Sequence, residues 1–424
     1  MSAARVRIVL FSAYFLFAIL LNSVGPVILQ SIATFGVTKH NASILEAFKD
    51  LPIAIVSFFI ASLLPRLGYR RAMIAAFAAV GAACFAMAFA PSFLMTKLLF
   101  AVTGASFAMV KIAVYSTIGL LTNDSRSHAS LLNMIEGFFM IGVLAGYWLF
   151  ASFIDSSDPS AIGWTKVYLP LAALAAANAG LLIFSKLPED ARAQSASSPA
   201  RDFADMIALV WRPAVLVFVF SAFLYVLIEQ GIGTWLPTFN NEVLHLPPSM
   251  SVQATSIFAA SLAAGRIGAG IILRRIDWFL VLAVCVIAMA ALVLLTVPAT
   301  GALEPRANVS WSNAPFAAFI LPLIGLFLAP IYPAINSVIL SSLPRSRHAA
   351  MTGLIVVFSA LGGTTGSFIT GRSFARFGGE TAFLFSLAPM AALLVLLWLL
   401  KRLVAQPQAA LDAKNDNEAA GAPS

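Results

Sequence analysis

Twelve runs of predominantly apolar residues, joined by short polar loops, decide what this chain can fold into. They fall at 8–30, 43–64, 72–90, 94–121, 129–153, 167–186, 213–239, 251–273, 279–298, 315–341, 349–370 and 380–400. Roughly 20 apolar residues in helical form cross the hydrocarbon core of a bilayer. Lipid offers no partners to peptide groups, so runs of this length must satisfy their own backbone as helices. Composition agrees: 60% of the 424 residues are hydrophobic and only 10% are charged. A soluble domain of that size could not cover its surface with so few polar groups. The expected class is an all-α membrane protein of twelve transmembrane helices.

Basic residues orient the spans. With both termini in the cytoplasm, the inner ends and loops collect most Lys and Arg, from Arg5 and Arg7 through Arg66, Arg70, Arg71, Arg126, Arg274, Arg275, Arg345 and Arg347 to Lys401 and Arg402. The outer side keeps Lys39, Lys97, Lys166, Arg306, Arg372 and Arg376. This is the positive-inside bias of a multi-pass protein of the inner (plasma) membrane. The net charge of +8 is therefore an orientation signal and no sign of a nucleic-acid partner. The first run is long for a cleaved signal and reads as a retained helix. Cys84 and Cys285 fall mid-span in different halves, which suggests no disulfide. The four histidines lack metal-ligand spacing and no Walker loop is present. No catalytic set, metal or cofactor is expected, and neither an enzyme nor an ATP-driven pump fits.

The chain repeats itself. HASLLNMIEGFFMIGVLAG (128–146) is echoed by HAAMTGLIVVFSALGGTTG (348–366) at an offset of 220, with Ile135/Ile355, Phe138/Phe358, Gly142/Gly362 and Gly146/Gly366 among the identities. Both copies follow a short basic loop. The offset makes span five equivalent to span eleven, hence two parallel halves of six spans. Residues 1–186 and 213–404 would be those halves, 187–212 a cytoplasmic linker and 405–424 a polar, disordered tail.

Parallel six-helix halves resemble the major facilitator arrangement. The loop PRLGYRR (65–71) is similar to that superfamily's loop signature through Arg66, Gly68, Arg70 and Arg71, with Pro65 where the signature has an acid. AGRIGAGIILRR (264–275) is its counterpart in the second half. Within the superfamily, LYVLIEQGIGTWLPTF (224–239) and APIYPAINSVI (329–339) resemble spans seven and ten of the fucose:proton symporter family. The resemblance implies proton-coupled uptake of a sugar or similar polar solute. It also implies a cavity lined by spans one, four, seven and ten. The chain departs from that family with Asn22 in span one and Lys111 in span four, where acids are expected.

Charges inside spans are expensive and mark pathways or pairs. On a helical wheel Glu136 shares a face with Asn133, Met140 and Tyr147, while Phe138, Gly142 and Gly146 form a packing face. Lys111 lies at similar depth on the preceding span, roughly 15 Å from its inner end against roughly 12 Å for Glu136. An ion pair between them is expected, either structural or part of transport. Arg266 falls in the same layer and reads as a gate or packing charge. Ser43-x-x-Glu46 has the pattern of a capping box, which would make Glu46 a helix-start residue and leave Asp50, beside Lys49, as the acid that titrates. Glu229 precedes Gln230, Gly231, Gly233 and Pro237, residues that weaken a helix and free carbonyls for ligands or water. Its alternative is a solvated kink at an outer gate. Trp235 offers a flat face for a sugar. Asn22, with Gly25, Pro26 and Gln30, and Asn336, beside Pro330 and Pro333, give spans one and ten the same broken character.

The candidates are thus Glu229, Glu136 and Asp50 for protons, and Asn22, Lys111, Asn133, Trp235 and Asn336 for solute. Arg66, Gly68, Arg70, Arg71 and Arg266 are candidates for gating. The expected function is proton-coupled uptake of a small polar solute, a sugar or sugar acid, by a monomer working through alternating access. An efflux antiporter of amphipathic compounds, an organic-anion transporter and a non-transporting receptor are the competing readings.

Overall fold

A computed structural model describes residues 3–121, 125–184, 206–300, 303–304, 309–344 and 347–420. The first six spans are built from α1 (Ala3–Leu21) with α2 (Val24–Phe35), α4 (Ile44–Leu67), α5 (Tyr69–Phe89), α6 (Phe93–Leu121), α7 (Ser125–Ser152) and α8 (Tyr168–Ile183). A single turn, α3 (Lys39–Ala42), leads into α4. The last six comprise α9 (Pro213–Gly233) with α10 (Leu236–Glu242), α11 (Pro248–Ile272), α12 (Trp278–Thr300), α13 to α15 (Ala317–Ile320, Ile324–Leu328, Ile331–Ser341), α16 (His348–Phe377), and α17 (Gly379–Leu384) with α18 (Leu387–Ala420). Among the described residues ten helices are long and apolar enough to cross a membrane, or eleven if the bent pair α1–α2 is one span. The 24-residue α4, which carries the charges of its first turns, supplies the twelfth.

The glycines of the repeat explain the packing within each set of six. Gly142 and Gly146 of α7 lie against Phe15, Ala18 and Ile19 of α1, and a Cβ at Gly142 would stand 2.8 Å from the Phe15 carbonyl. Gly362 and Gly366 of α16 lie in the same way against the carbonyls of Phe223 and Leu227 in α9. Small residues let these backbones approach where lipid supplies no hydrophobic drive. Across the two sets, α4 packs on α16, α7 on α11 and α2 on α10.

Three spans are broken where proline, glycine and amide residues foretold it. Span one bends by 41° between α1 and α2. There Asn22 Nδ2 donates to the Ala18 carbonyl at 2.9 Å and the Ser23 hydroxyl to that of Leu20 at 2.7 Å, reinforcing the last backbone bonds of α1 at the bend. Span seven breaks at Thr234 and Trp235, before Pro237. Span ten is split by a 3₁₀ turn at Leu321–Leu323 and again before Ile331, at positions where Pro322 and Pro330 withhold an N–H. The two first breaks touch: a Cβ at Gly25 would stand 2.7 Å from the Thr234 carbonyl.

One expectation changes and one lies largely outside the described residues. The tail after Ala405 continues α18 as helix to Ala420. Extending an existing helix needs no new nucleus, and the segment is rich in alanine. Most of the linker at 187–212 lies outside the described residues, whose gap runs from 185 to 205.

Candidate functional site

The side opposite the N-terminus of α1, called here the far side, is closed. Lys39 pairs with Glu242 at 2.8 Å, Ser156 hydrogen-bonds Ser249 at 2.7 Å, and Trp148 Nε1 donates to Ser256 at 3.3 Å. Each contact joins one set of six spans to the other. On the near side Tyr115, Asn133 and Arg266 are exposed. Between these regions lies a cavity of about 60 Å³, lined from the first set by Asn22, Gly25, Lys49 and Tyr147 and from the second by Glu229, Gln230, Thr234 and Phe258. That volume accommodates a few waters; pockets for drug-sized ligands run to several hundred Å³.

Glu229 stands one turn before the break in span seven. Its Oε1 accepts from Tyr225 at 3.2 Å, and Tyr225 stacks on Tyr332 of α15 with centroids 5.1 Å apart. Arg266 and Lys49 are the cations within electrostatic reach. The tyrosine hydroxyl, the cavity and the frayed helix end together hold a carboxylate at the junction of the two sets of spans.

Across the cavity sits a buried cluster. Glu46 is 0% exposed, Lys49 6% and Asp50 8%. Lys49 hydrogen-bonds Glu46 and lies 3.4 Å from Asp50. Spacings of three and four residues bring these groups to one helical face. Glu46 Oε2 also accepts from the Thr234 hydroxyl at 3.1 Å, so the cluster ties span two to the break in span seven. Asp50 packs on Gly363 of α16, where a side chain would collide with Oδ2. The expectation for Glu46 is corrected here. The Ser43 hydroxyl donates back to the His40 carbonyl at 2.7 Å, and Glu46 turns into the seam between the two sets of spans. The short helix α3 had already met the entry of the chain into span two, so α4 needed no capping box.

The pair expected on the near side is not formed. Glu136 Oε1 accepts from Tyr115 at 2.8 Å, and no ion pair within 4.0 Å joins it to Lys111 among the described residues. Lys111 Nζ lies 5.8 Å from the Phe107 ring centroid and 5.7 Å from that of Tyr115, cation–π distances. Tyr115 therefore stands between the two charges, a neighbour at i+4 from Lys111 that depth alone could not reveal. Arg266 also lacks an acid within 4.0 Å among the described residues; its Nη1 lies 3.6 Å from Met140 Sδ of the other set. Asn133, one turn before Glu136, is exposed.

Trp235 does not line the cavity. It is wholly buried, donates from Nε1 to the Ser367 carbonyl at 3.0 Å, and stacks on Phe374 at 5.5 Å. Packing replaces the expected sugar platform, because the break turns this residue towards α16. Asn336 is half-buried, with an Oδ1 that has no hydrogen-bond partner among the described residues. In the loop between α4 and α5, Gly68 adopts a φ of 83° that suits glycine. Arg70 donates to the last carbonyls of α8, Leu182 at 2.8 Å and Ile183 at 2.5 Å, and so caps a helix of its own half. Arg71 is exposed, and the Arg66 side chain lies outside the described residues. The residues that sequence reasoning underrated are Lys49, Thr234, Tyr147 and Tyr225. Spacing marked Lys49, which lies between two acids in an apolar run.

The arrangement of spans is shared with solved transporters. FucP, the E. coli fucose:proton symporter, superposes with a TM-score of 0.60 at 17% identity over 93% of this chain and 98% of that one. A D-xylose-proton symporter gives 0.72 at 13% identity over 93% and 97%. The nucleoside transporter NupG gives 0.70 at 15% identity over 94% and 98%. No curated protein is significantly similar in sequence. The sequence profile of the Major Facilitator Superfamily matches residues 10–363. With that match and two sets of spans joined around a central cavity, the chain belongs to the major facilitator superfamily and is a membrane transporter.

Proposed function

We propose that the protein takes up a small polar solute, a sugar or sugar acid, together with protons. Two six-span halves, 1–186 and 213–404, alternate access in an inner membrane with both termini cytoplasmic. The observation that carries this reading is Glu229: a carboxylate on the cavity wall, at the break of span seven, facing Lys49 of the opposite half. A group so placed can exchange a proton with cavity water as the halves move. Asp50 and Glu136 are further proton candidates. Asn22, Lys111, Asn133 and Asn336 are the solute-binding candidates that remain once Trp235 is assigned to packing. Lys111 and Arg266, without an acid in contact, favour a solute that carries a carboxylate over a neutral one.

The test is uptake by proteoliposomes under an imposed pH gradient, with matched neutral sugars and uronates. Glu229→Gln is expected to abolish gradient-driven accumulation while leaving the protein folded and monodisperse, since an amide cannot titrate. Accumulation and pH response equal to wild type in that variant would remove Glu229 from the mechanism.

A further inference from the structure

The cluster of Glu46, Lys49 and Asp50 has an imbalance that its surroundings do not correct. Two carboxylates share one ammonium, so the cluster carries a net negative charge when both acids are ionised. All three residues lie in the seam that closes the far side, the Glu46 and Lys49 side chains more than nine-tenths buried and that of Asp50 12% exposed. The ionisable groups that face them from other helices are Glu229 of α9 and Tyr147 of α7. Neither is a cation. The helices packed hardest on α4 bring glycines to the cluster, Gly104 of α6 against the Lys49 carbonyl and Gly363 of α16 against Asp50, while Lys97 of α6 lies 5.9 Å from the ring of the neighbouring Phe48. An uncompensated charge in such a place is costly, and neutralisation by a proton is the ordinary escape.

We infer that this cluster is a coupling-proton site and the far-side gate in one. Burial of the seam requires one proton, and opening of the seam releases it. Asp50 is its seat. Glu46 accepts from both Lys49 and Thr234 and is satisfied as a carboxylate, whereas among the described residues Asp50 is held only by Lys49 at 3.4 Å. The chemistry also selects the ion. The Lys49 ammonium already occupies the position between the carboxylates that a sodium ion would need, so the site takes a proton. The water-sized cavity that Lys49 shares with Glu229 brings the cluster's ammonium to the wall of the central cavity. The inference rests on the transporter reading, because it supposes that the far side opens.

A double-label distance measurement tests it without solute or flux. Spin labels are placed at Asn41 and Ala375, both exposed at the far ends of opposite halves, with the buried Cys84 and Cys285 replaced by serine. In wild type the closed-to-open ratio should fall with rising pH, by up to tenfold per unit where one proton is linked to the transition. Asp50→Asn leaves Lys49 paired with Glu46, and Glu46→Gln leaves it paired with Asp50. Each cluster is then neutral without a proton, so each variant should stay closed at every pH. Glu229→Gln should keep a ratio that falls with pH, with its midpoint moved because a carboxylate facing the cluster is gone. A pH-independent wild type, or a full response in either cluster variant, overturns the inference. Loss of the response in Glu229→Gln alone moves the gate proton to Glu229. If Asp50→Asn does not fold, Glu46→Gln decides. Sodium at fixed pH should leave the ratio unchanged, and closure by sodium would also overturn it. Failure of proton-driven uptake with an intact pH response would sink the proposed function and leave the gate standing.

Discussion

The far-side cluster and the near-side charges are built from the same residue types and differ in how they are partnered. At Glu46, Lys49 and Asp50, cation and acid are in contact, buried, and tied by Thr234 to the other half. At Lys111 and Glu136 a tyrosine intervenes: the acid takes its hydroxyl and the cation lies near its ring. One arrangement joins the two halves across a seam; the other holds its cation and its acid apart on the two sides of a tyrosine. Charges in apolar spans therefore divide into those in direct ion pairs and those kept apart by a neighbouring side chain. Contact, not depth in the membrane, makes the division.

The largest effect that would break this comparison is at Lys49. Lys49→Met leaves two buried carboxylates without their ammonium, and removal of one partner from a buried pair costs about 3–5 kcal/mol. Thermal unfolding in detergent should show a large loss at neutral pH. The loss should shrink as pH falls, because protonation of the orphaned acids removes the charge that burial penalises. A variant as stable as wild type would show that the cluster is hydrated and that the far side does not seal.

Next in size is Trp235, which sharpens the boundary between packing and site. Within a bilayer the transfer contribution of a deleted side chain largely vanishes, since lipid is as apolar as the interior. What remains is the cavity, about 24 cal/mol per Å³, or roughly 2–3 kcal/mol for Trp→Ala. Trp235→Ala is expected to lower the unfolding temperature while leaving the solute affinity of the folded fraction unchanged in calorimetry. A folded variant with several-fold weaker binding would return Trp235 to the solute site.

How much of this was legible beforehand follows from what each feature depends on. Span number and the breaks at Asn22, Thr234 and Pro330 follow from hydropathy and from local backbone chemistry, and the residues concerned act within a turn of themselves. The repeat foretold that Gly142 and Gly362 would take equivalent places, and both pack on the first span of their half. The partners of Glu46 and Trp235 could not be read the same way. Thr234 lies 188 residues from Glu46 and Ser367 lies 132 from Trp235, so only the tertiary arrangement brings them together. A capping-box pattern misled at Glu46 because the local signal was real but the chain had a nearer solution in α3.

The smallest expected effect is the most discriminating, because it is an expected weakness of coupling. Lys111 and Glu136 meet only through Tyr115, so no direct ion pair is broken when either is changed. Lys111→Met removes a cation that holds cation–π distances worth about 0.5–2 kcal/mol. Glu136→Gln keeps an oxygen that can still accept from Tyr115. In the double variant the two stability changes should depart from additivity by no more than about 1 kcal/mol, the low end of the coupling between groups that share a partner. Unfolding temperatures of the four proteins close the cycle. Rescue of one change by the other, with a coupling well above that margin, would show that Lys111 and Glu136 pair in a state populated in solution, and the near side would then resemble the far side. Additive stability with a loss of solute binding in Lys111→Met would assign the free ammonium to the solute. The family resemblance implies that Lys111 lies on a cavity-lining span, and among the described residues no acid stands within 4.0 Å of its ammonium.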